Sequence, residues 1–299
     1  MTGALVGPSW RSAERPLEGW DEENRRLGAA FFGDTSFAIW EGWPSGLEPL
    51  YVRLEQDGEC VAQALILEAR PRLWPFSVLC RRAVLGCLPA VRDADPDRVL
   101  AVMASLHRAL LARGVCIVEV RSYDSPESAN VLGRLGYALE PRTEFYLDLT
   151  SPTETLWSGV SNKQRNKIRK AIKLGVTCVS ETSLEAIERL QAFQAESLAR
   201  HGRVFRTSTE RAHACQAILE AGRGRLLTSY VDGRPVAAAC FATSGGRAYS
   251  LSAGSTAEGN RCAAPAHALW TFCGTAGLSQ SWLLYCTTRP ATHRRTPLD

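Results

Sequence analysis

The hydrophobic residues in the first half of the chain alternate between the spacing of strands and the spacing of helices. Asp57-Gly58 predicts a hairpin turn, because this dipeptide suits the left-handed backbone of such turns. Helices are predicted over residues 128–135 and from Asp95-Pro96, where the aspartate caps the helix and the proline begins it. Strands are predicted by alternating or continuous apolar runs over residues 51–57, 60–68, 76–84, 115–121 and 144–149. The first half therefore predicts a mixed α+β domain.

The second half repeats this plan with longer helices. Asp232-Gly233 and Gly245-Gly246 predict tight turns that join three strands into a meander. Apolar residues recur at helical spacing over residues 161–173, 183–200, 210–221 and 264–274. Strands are predicted over residues 176–180, 225–231, 236–243, 247–252 and 282–286. Two helices, a three-stranded meander, a helix and a strand follow one another as in a GNAT-type acyltransferase domain. The pattern predicts an α/β (α+β) fold with two GNAT-like domains in tandem.

Charge is distributed unequally between the two halves. Residues 1–150 contain 16 Arg and 21 Asp and Glu, a net charge of −5. Residues 151–299 contain 19 Lys and Arg and 10 Asp and Glu, a net charge of +9. The length of 299 residues fits two domains of about 150 residues each. We predict a first domain over 1–150 and a second over 151–287 that faces a polyanion, without the charge of a dedicated DNA-binding protein.

All four lysines lie in the predicted helix over residues 161–173, whereas every other basic position of the chain is arginine. The helix carries six cations: Lys163, Arg165, Lys167, Arg169, Lys170 and Lys173. Three of the lysines recur at i, i+4 and i+7, and Ile168, Ala171 and Ile172 form an apolar stripe that would dock the helix on a core. Such a basic face suits a phosphate-bearing partner, either tRNA or a small molecule. The alternative is a solvated face of an ordinary amphipathic helix.

Composition narrows the class of protein. Hydrophobic residues make up 45% of the chain and charged residues 22%, as in soluble globular proteins. No apolar run approaches the roughly 18 residues of a membrane span, and the N-terminus lacks a secretory signal. The ten cysteines form no CxxC pair and most lie in apolar segments, which indicates buried thiols of a cytoplasmic protein. The five histidines have no metal-ligand spacing with them, so no metal site is predicted.

The junction of the two predicted domains carries a specific motif. Residues 145–149 form a strand that ends in an Asp-Leu pair, and residues 163–176 read KQRNKIRKAIKLGV. This run resembles the "K-x-R-x-x-I-R-K-A-x-K-x-G-V" helix of the FemAB-like family, which comprises Fem aminoacyltransferases and BioF2-like members of the GNAT superfamily. Looser matches extend the resemblance over residues 30–285.

The resemblance implies an enzyme that transfers an acyl group to an amine. Characterised members move an amino acid from aminoacyl-tRNA onto the peptide of a peptidoglycan precursor, and wider relatives use acyl-CoA in polysaccharide or envelope biosynthesis. The substrate amine attacks the activated carbonyl, so the site must accept a proton, hold the oxyanion and exclude water. The sequence has no G-x-S-x-G elbow and no Cys/His pair with supporting context. No catalytic residue or general base is assigned.

The loop after the third meander strand bears on the acyl donor. Acyl-CoA enzymes of the GNAT class carry Q/R-x-x-G-x-G/A at this point, where backbone N–H groups hold the pyrophosphate. Residues 254–263 read GSTAEGNRCA and do not fit. We therefore predict no tightly bound cofactor and weak binding of acetyl-CoA. Aminoacyl-tRNA and acyl-CoA both remain open as donors, with the motif slightly favouring a donor other than CoA.

Three further residues complete the predicted substrate contacts. Arg203 lies at the end of the long helix, near the acceptor cleft that the resemblance implies, and a surface arginine is the alternative. Tyr249 and Ser252 on the third meander strand would face the groove between the domains, where such groups orient an amide, or would pack in the core. His267 is predicted to pack within the fold rather than act as a base.

The C-terminus departs from the family pattern. Relatives continue with a "DLGG"-like strand, whereas residues 288–299 lack periodicity and contain Pro290 and Pro297. We predict a disordered tail there and a truncated second domain, which puts activity in question. The competing class is an inactive relative that binds a nucleic acid or an anionic envelope component. A membrane-surface substrate fits either class, and neither the acceptor nor the oligomeric state is indicated.

Overall fold

A computed structural model of the chain contains two compact units, Met1–Thr143 with Thr288–Asp299, and Glu144–Thr287. The structure describes residues 9–69, 81–93, 95–125, 127–141, 143–276, 283–287 and 293–295. Each unit is built on one β-sheet with helices packed against it. The predicted mixed α/β fold is confirmed.

The described residues of the first unit form a sheet of seven strands. These are β1 (Ser9–Ala13), β2 (Glu48–Gln56), β3 (Glu59–Ala69), β4 (Arg81–Leu85), β5 (Ala90–Val91), β6 (Val115–Val120) and β13 (His293–Arg295). Their order is β1-β2-β3-β4-β6-β13, with β5 paired to β3, and only β4 and β6 run parallel. Asp57 and Gly58 have φ angles of 53° and 79°, the left-handed backbone of the predicted hairpin between β2 and β3.

Helices of the first unit pack on this sheet. The described ones are α1 (Trp20–Arg26), α2 (Pro96–Ala112), α3 (Ser128–Arg134) and short helical turns over Phe31–Gly33, Thr35–Phe37, Ala38–Gly42 and Trp43–Ser45. α2 begins as predicted, since an Oδ1 of Asp95 accepts hydrogen bonds from the backbone N–H groups of Asp97 and Arg98, each at 3.0 Å. Met103 and Leu106 of α2 are buried against the sheet.

The second unit has six strands and six helices among its described residues. The strands are β7 (Glu144–Asp148), β8 (Thr177–Glu181), β9 (Gly224–Val231), β10 (Arg234–Ser244), β11 (Arg247–Ser255) and β12 (Leu283–Thr287). The helices are α4 (Thr153–Gly159), α5 (Asn162–Lys173), α6 (Leu184–Ala199), α7 (Thr209–Glu220), α8 (Ala257–Arg261) and α9 (Ala264–Ala276). The sheet order is β7-β12-β11-β10-β9-β8, and only β11 and β12 run parallel.

Helices cover both faces of the second sheet. On one face Phe241 of β10 packs with Leu156 of α4 and stacks on Phe272 of α9, with ring centroids 4.0 Å apart. On the other face Gly254 of β11 approaches α6 so closely that a Cβ there would lie 2.3 Å from the backbone nitrogen of Gln194. Side chains that alternate along β10 and β11 therefore point either toward α4, α5 and α9 or toward α6 and α7.

Two predicted boundaries differ from the structure. The strand predicted to end the first domain, β7, pairs with β12, so the second unit begins at Glu144 rather than at residue 151. Periodicity predicts which face of a strand is apolar but not which sheet an edge strand joins. Of the predicted tail over residues 288–299, His293–Arg295 form β13 and pair with β6. Its other residues lie outside the described ones, as do residues 76–80 of the third predicted strand.

Candidate functional site

β11 and β12 stop pairing after a short stretch. Their parallel pairing joins Arg247–Tyr249 to Leu283–Tyr285, whereas β11 continues along β10 as far as Ser255. Within the described residues, positions 250 and 252–255 have a ladder partner on the β10 side only, and Leu251 has none. The sheet therefore offers, at its middle, backbone groups beside which an extended ligand can lie.

A β-bulge shapes β11 at this opening. Tyr249 pairs with Ala242 of β10 and Ser252 pairs with Cys240, so Leu251 is an extra residue in the ladder. Positions 249 and 252 would lie on opposite faces of a regular strand, because side chains alternate with a period of two. The bulge instead places both side chains on the face that packs against α6 and α7. Bulges of this kind often re-aim side chains next to active sites.

Ser252 carries a hydroxyl group on the face of β11 that packs against α6 and α7. Its Oγ is buried and has no hydrogen-bond partner among the described residues. Buried hydroxyl groups in folded proteins nearly always have a partner, so this one is a candidate for donating to a ligand. Tyr249 is the other predicted contact on β11. It is a core residue with 2% of its surface exposed, which agrees with the alternative prediction that it packs in the core.

The turn between β11 and α8 uses its own side chains to bind its backbone N–H groups. The Oε1 of Glu196 accepts a hydrogen bond from the backbone N–H of Ala257 at 2.8 Å. The Oγ1 of Thr256 accepts one from the N–H of Gly259 at 3.0 Å. In acyl-CoA enzymes of the GNAT class the pyrophosphate loop lies at this position. Here a carboxylate already accepts the hydrogen bond of a backbone N–H group that a phosphate would need. The geometry agrees with the poor match of residues 254–263 to the CoA motif.

Within the described residues the lysines of α5 form no ion pair, and the apolar stripe of this helix is narrower than predicted. Lys163, Lys167 and Lys170 are all exposed, and none forms an ion pair within the described part of the chain. Ile168 is buried, but Ile172 is 57% exposed, so the prediction that it docks the helix is wrong. At about 100° per residue, position 172 lies at the edge of a stripe centred between positions 168 and 171.

The two arginines of α5 act within the fold. The Nη1 of Arg165 donates to the carbonyl oxygens of Trp157 at 3.1 Å and Ser158 at 2.9 Å, near the C-terminal end of α4. The guanidinium of Arg169 lies 5.5 Å from the centroid of the Trp157 ring. Both are predicted to contact substrate, and in the structure their guanidinium groups lie against α4.

An apolar cavity of about 670 Å³ lies between α4, α5 and α9. Its apolar walls include Leu147, Leu156, Ile168, Leu269, Trp270 and Cys273. The polar lining residues of α5 and its N-terminal turn are Ser161, Gln164 and Lys167. Lys167 is the predicted substrate contact that lines this cavity, which lies on the opposite face of the sheet from Ser252.

Arg203 stands apart from both features. It is exposed in the segment after α6, and no contact joins it to Ser252 or to the cavity among the described residues. Its neighbour Arg200 is held by the fold, since Nη2 donates to the carbonyl oxygen of Ser255 at 2.8 Å and Nη1 pairs with Glu196 at 2.9 Å. The structure therefore does not gather all the predicted contacts into one site.

One cluster of polar side chains has no signal in the sequence. The Sγ of Cys178 lies 3.4 Å from the Nδ1 of His267 and 3.4 Å from the Oγ of Ser229. Burial lowers the pKa of His267 from its ordinary value. Cys178 and His267 are 89 positions apart, and no spacing in the sequence signals their contact.

No helix within the described ranges has the length and apolar character to cross a membrane. Among those same residues, no group of three or more His, Cys, Asp or Glu side chains is arranged to hold a metal ion.

Residues 159–271 match the family model of the GNAT acetyltransferase domain. A crystal structure of FemX is similar to this chain with a TM-score of 0.74 and 13% identity, covering 90% of this chain and 87% of that one. The C-terminal domain of a proposed lysylphosphatidylglycerol synthetase from Agrobacterium fabrum has a TM-score of 0.58 and 14% identity, covering 90% and 80%. No curated protein sequence matches the chain.

A third similar structure is a tandem GNAT protein from the clavulanic acid biosynthesis pathway. Its TM-score is 0.53 at 13% identity, over 97% of this chain and 100% of that one. At such identities these likenesses show the fold alone. They confirm the predicted tandem GNAT fold. The matching GNAT domain and the fold shared with FemX are consistent with the resemblance to the FemAB-like acyltransferases. The BioF2-like part of that resemblance and the truncation of the second domain remain predictions.

Proposed function

We propose, from the premise that residues 159–271 form a GNAT acetyltransferase domain, that this protein transfers an activated acyl or aminoacyl group to an amine acceptor. The observation that carries the proposal is the opening beside β11, where the buried Oγ of Ser252 has no partner among the described residues. A donor carbonyl held beside β11 would accept a hydrogen bond from this hydroxyl, which the fold has already desolvated.

The chemistry requires few groups from the protein. The amine nitrogen attacks the carbonyl carbon of the donor, a C–N bond forms, and the C–O bond of an ester or C–S bond of a thioester breaks. The attacking nitrogen loses a proton, and the leaving oxygen or sulfur gains one. We assign to Ser252 the donation of a hydrogen bond to the carbonyl oxygen as it becomes negative. The general base remains unassigned.

Aminoacyl-tRNA is the donor that the local geometry favours over acyl-CoA. The Glu196 carboxylate accepts a hydrogen bond from the backbone N–H of Ala257. A pyrophosphate would compete for the same N–H group and would be repelled by the carboxylate charge. The exposed lysines of α5 provide a separate place for tRNA phosphates. The fold likeness to FemX, and to a domain whose name specifies a lysyl group on a phospholipid, agrees with aminoacyl transfer. A cell-wall or envelope precursor as acceptor, and a cytoplasmic location, belong to this proposal.

The test is a transfer assay with aminoacyl-tRNA and acyl-CoA donors against amine acceptors, including peptidoglycan precursor peptides. Ser252→Ala should lower kcat about 100-fold, as loss of one oxyanion donor does. Ser250→Ala is the matched control, because Ser250 is on the same strand but pairs with Phe241 on the opposite face. Equal losses in the two variants would count against the assigned role of Ser252.

The competing class, an anion-binding relative without activity, is favoured by the unpaired lysines of α5. Replacing Lys163, Lys167 and Lys170 together with Gln should weaken tRNA binding and reduce its salt dependence by about one unit of slope per lost phosphate contact. Loss of tRNA binding in this variant, together with no turnover by the wild type with either donor class, would support the binding protein over the enzyme.

A further inference from the structure

We propose that strand β8 pairs with β8 of a second copy of this chain, antiparallel about a two-fold axis at Val179. β8 is the last strand of the second sheet, and within the described residues it pairs with β9 only. Backbone N–H and C=O groups on its outer side have no ladder partner there, and such a row of groups is a template for another strand. Neither the proposed acyl transfer nor the basic face of α5 uses this edge.

β8 lacks the features that usually prevent an edge strand from pairing. Its five residues, TCVSE, include no proline, lysine or arginine, and its register with β9 runs without a bulge. The one charged side chain, Glu181, lies at the end of the strand, where Arg189 pairs with it at 2.9 Å. Val179 at the centre is 48% exposed. An exposed apolar residue in the middle of such an edge favours burial against a partner strand.

The sequence of β8 is compatible with its own copy in an antiparallel register. An axis at Val179 places this residue opposite itself and places Thr177 opposite Glu181, so no two like charges face each other along the strand. The strand at the other end of the sheet, β7, begins with Glu144 and ends with Asp148. Pairing of β7 with its own copy about its centre would place these two carboxylates opposite each other, which is unfavourable. Of these two edges, β8 is therefore the one that suits self-association.

The segments on either side of β8 carry opposite charges. Lys173 is the last residue of α5 before the strand, Glu185 lies in the first turn of α6 after it, and both are exposed. Antiparallel pairing brings the start of β8 in one copy beside the end of β8 in the other. Lys173 of each copy would therefore lie toward Glu185 of the other, with Leu174, which is 48% exposed, beside them. This charge complementarity selects a second copy of the chain as the partner.

Sedimentation velocity of the full chain tests the proposal. The wild type should change from monomer to dimer between about 1 and 200 μM, because a short strand pair with small flanking contacts gives weak association. Val179→Lys should raise the dissociation constant of the dimer at least about tenfold, since two new ammonium groups would face each other at the axis. Val204→Lys should leave it unchanged, because Val204 is 88% exposed beyond the far end of α6. A wild type that stays monomeric, or equal effects of the two variants, would overturn the proposal.

Exchange of the flanking charges tests the orientation of the pair. Lys173→Glu and Glu185→Lys should each raise the dissociation constant several-fold, because like charges would then meet across the interface. The double variant restores opposite charges at both contacts and should return the dissociation constant to within about twofold of the wild type. Melting temperatures verify folding of each variant. If the double variant associates no better than the single ones, the antiparallel arrangement is wrong.

Cross-linking locates the axis. Oxidation of Val179→Cys should join two copies through this residue, because directly opposite residues of antiparallel strands bring their Cβ atoms within about 4.5–5.5 Å of each other. Val204→Cys is equally available to oxidant and should not join copies at that position. Peptide mass spectrometry identifies the linked residues and separates them from the native cysteines. Equal linkage through positions 179 and 204 would show random collision rather than pairing of β8.

Discussion

The guanidinium of Arg165 at the start of α5 donates to the main-chain carbonyl oxygen of Trp157, near the end of α4, at 3.1 Å. A second bond reaches the carbonyl oxygen of Ser158 at 2.9 Å. The last carbonyl groups of a helix have no partner within the helix, and a cation there also interacts favourably with the helix dipole. An arginine of a basic motif thus joins two consecutive helices, while the lysines of the motif remain exposed.

This relationship predicts different outcomes for neighbouring cations. Arg165→Gln should lower the free energy of unfolding by about 1–2 kcal/mol, because charge-assisted hydrogen bonds to two carbonyl groups are lost. Lys163→Gln, on the exposed side of the same helix, should change it by less than about 0.5 kcal/mol. Urea unfolding followed by circular dichroism measures both. Similar values for the two variants would show that the arginine also has only a surface role.

The close approach of β11 to α6 gives a second prediction. A Cβ at position 254 would lie 2.3 Å from the nitrogen of Gln194 and 2.4 Å from the carbonyl carbon of Phe193, both rigid main-chain atoms. Gly254→Ala should therefore destabilise the protein by about 2–3 kcal/mol or more, since α6 must move. The control is Gly274→Ala in α9, where an added Cβ meets no atom within 4 Å. This substitution should stabilise the protein by about 0.5–1 kcal/mol. Thermal unfolding that ranks the two in the opposite order would refute this packing argument.

Periodicity and turn chemistry predicted the elements that local sequence determines. Asp57-Gly58 and Asp232-Gly233 form the expected turns with positive φ, and Asp95 caps its helix. The helical turns over residues 31–45 were missed because they change type every few residues and show no steady period. Their aromatic residues, such as Phe31 and Phe37, are buried by contact with one another rather than by helical patterning.

The site was less predictable, because contacts between distant residues create it. Ser252 was a candidate by position, but the bulge at Leu251 that sets its face arises from pairing with β10 and is not visible in a single strand. The cavity depends on how α4 and α9 pack beside α5. The contact between Cys178 and His267 depends on the rotation of α9 over β8.

That contact gives a prediction of chemical reactivity. A neutral imidazole with an unprotonated Nδ1 can accept the proton of the Cys178 thiol, which assists attack by the sulfur. Alkylation of Cys178 by iodoacetamide should be several-fold slower in His267→Gln than in the wild type. Cys215 and Cys240 serve as the internal comparison, because they are buried against each other at 3.6 Å, and the hydrogen bond with Cys215 together with burial raises the pKa of Cys240. If peptide mass spectrometry found the three cysteines equally reactive toward iodoacetamide, this prediction would be contradicted.

The same histidine predicts how stability depends on pH. Burial lowers the pKa of His267 below its ordinary 6.5, so protons bind more readily to the unfolded chain than to the folded one. The contribution of this imidazole to the free energy of unfolding is fully present above pH 6.5. It is lost as the pH falls from 6.5 through the lowered pKa of the folded state. The melting temperature of the wild type should therefore fall more between pH 7 and pH 5 than that of His267→Gln. His201→Gln, a change at an exposed histidine outside the cluster, should retain the steep dependence of the wild type. If all three proteins lost stability in parallel, the half-buried imidazole of His267 would not be the group that titrates.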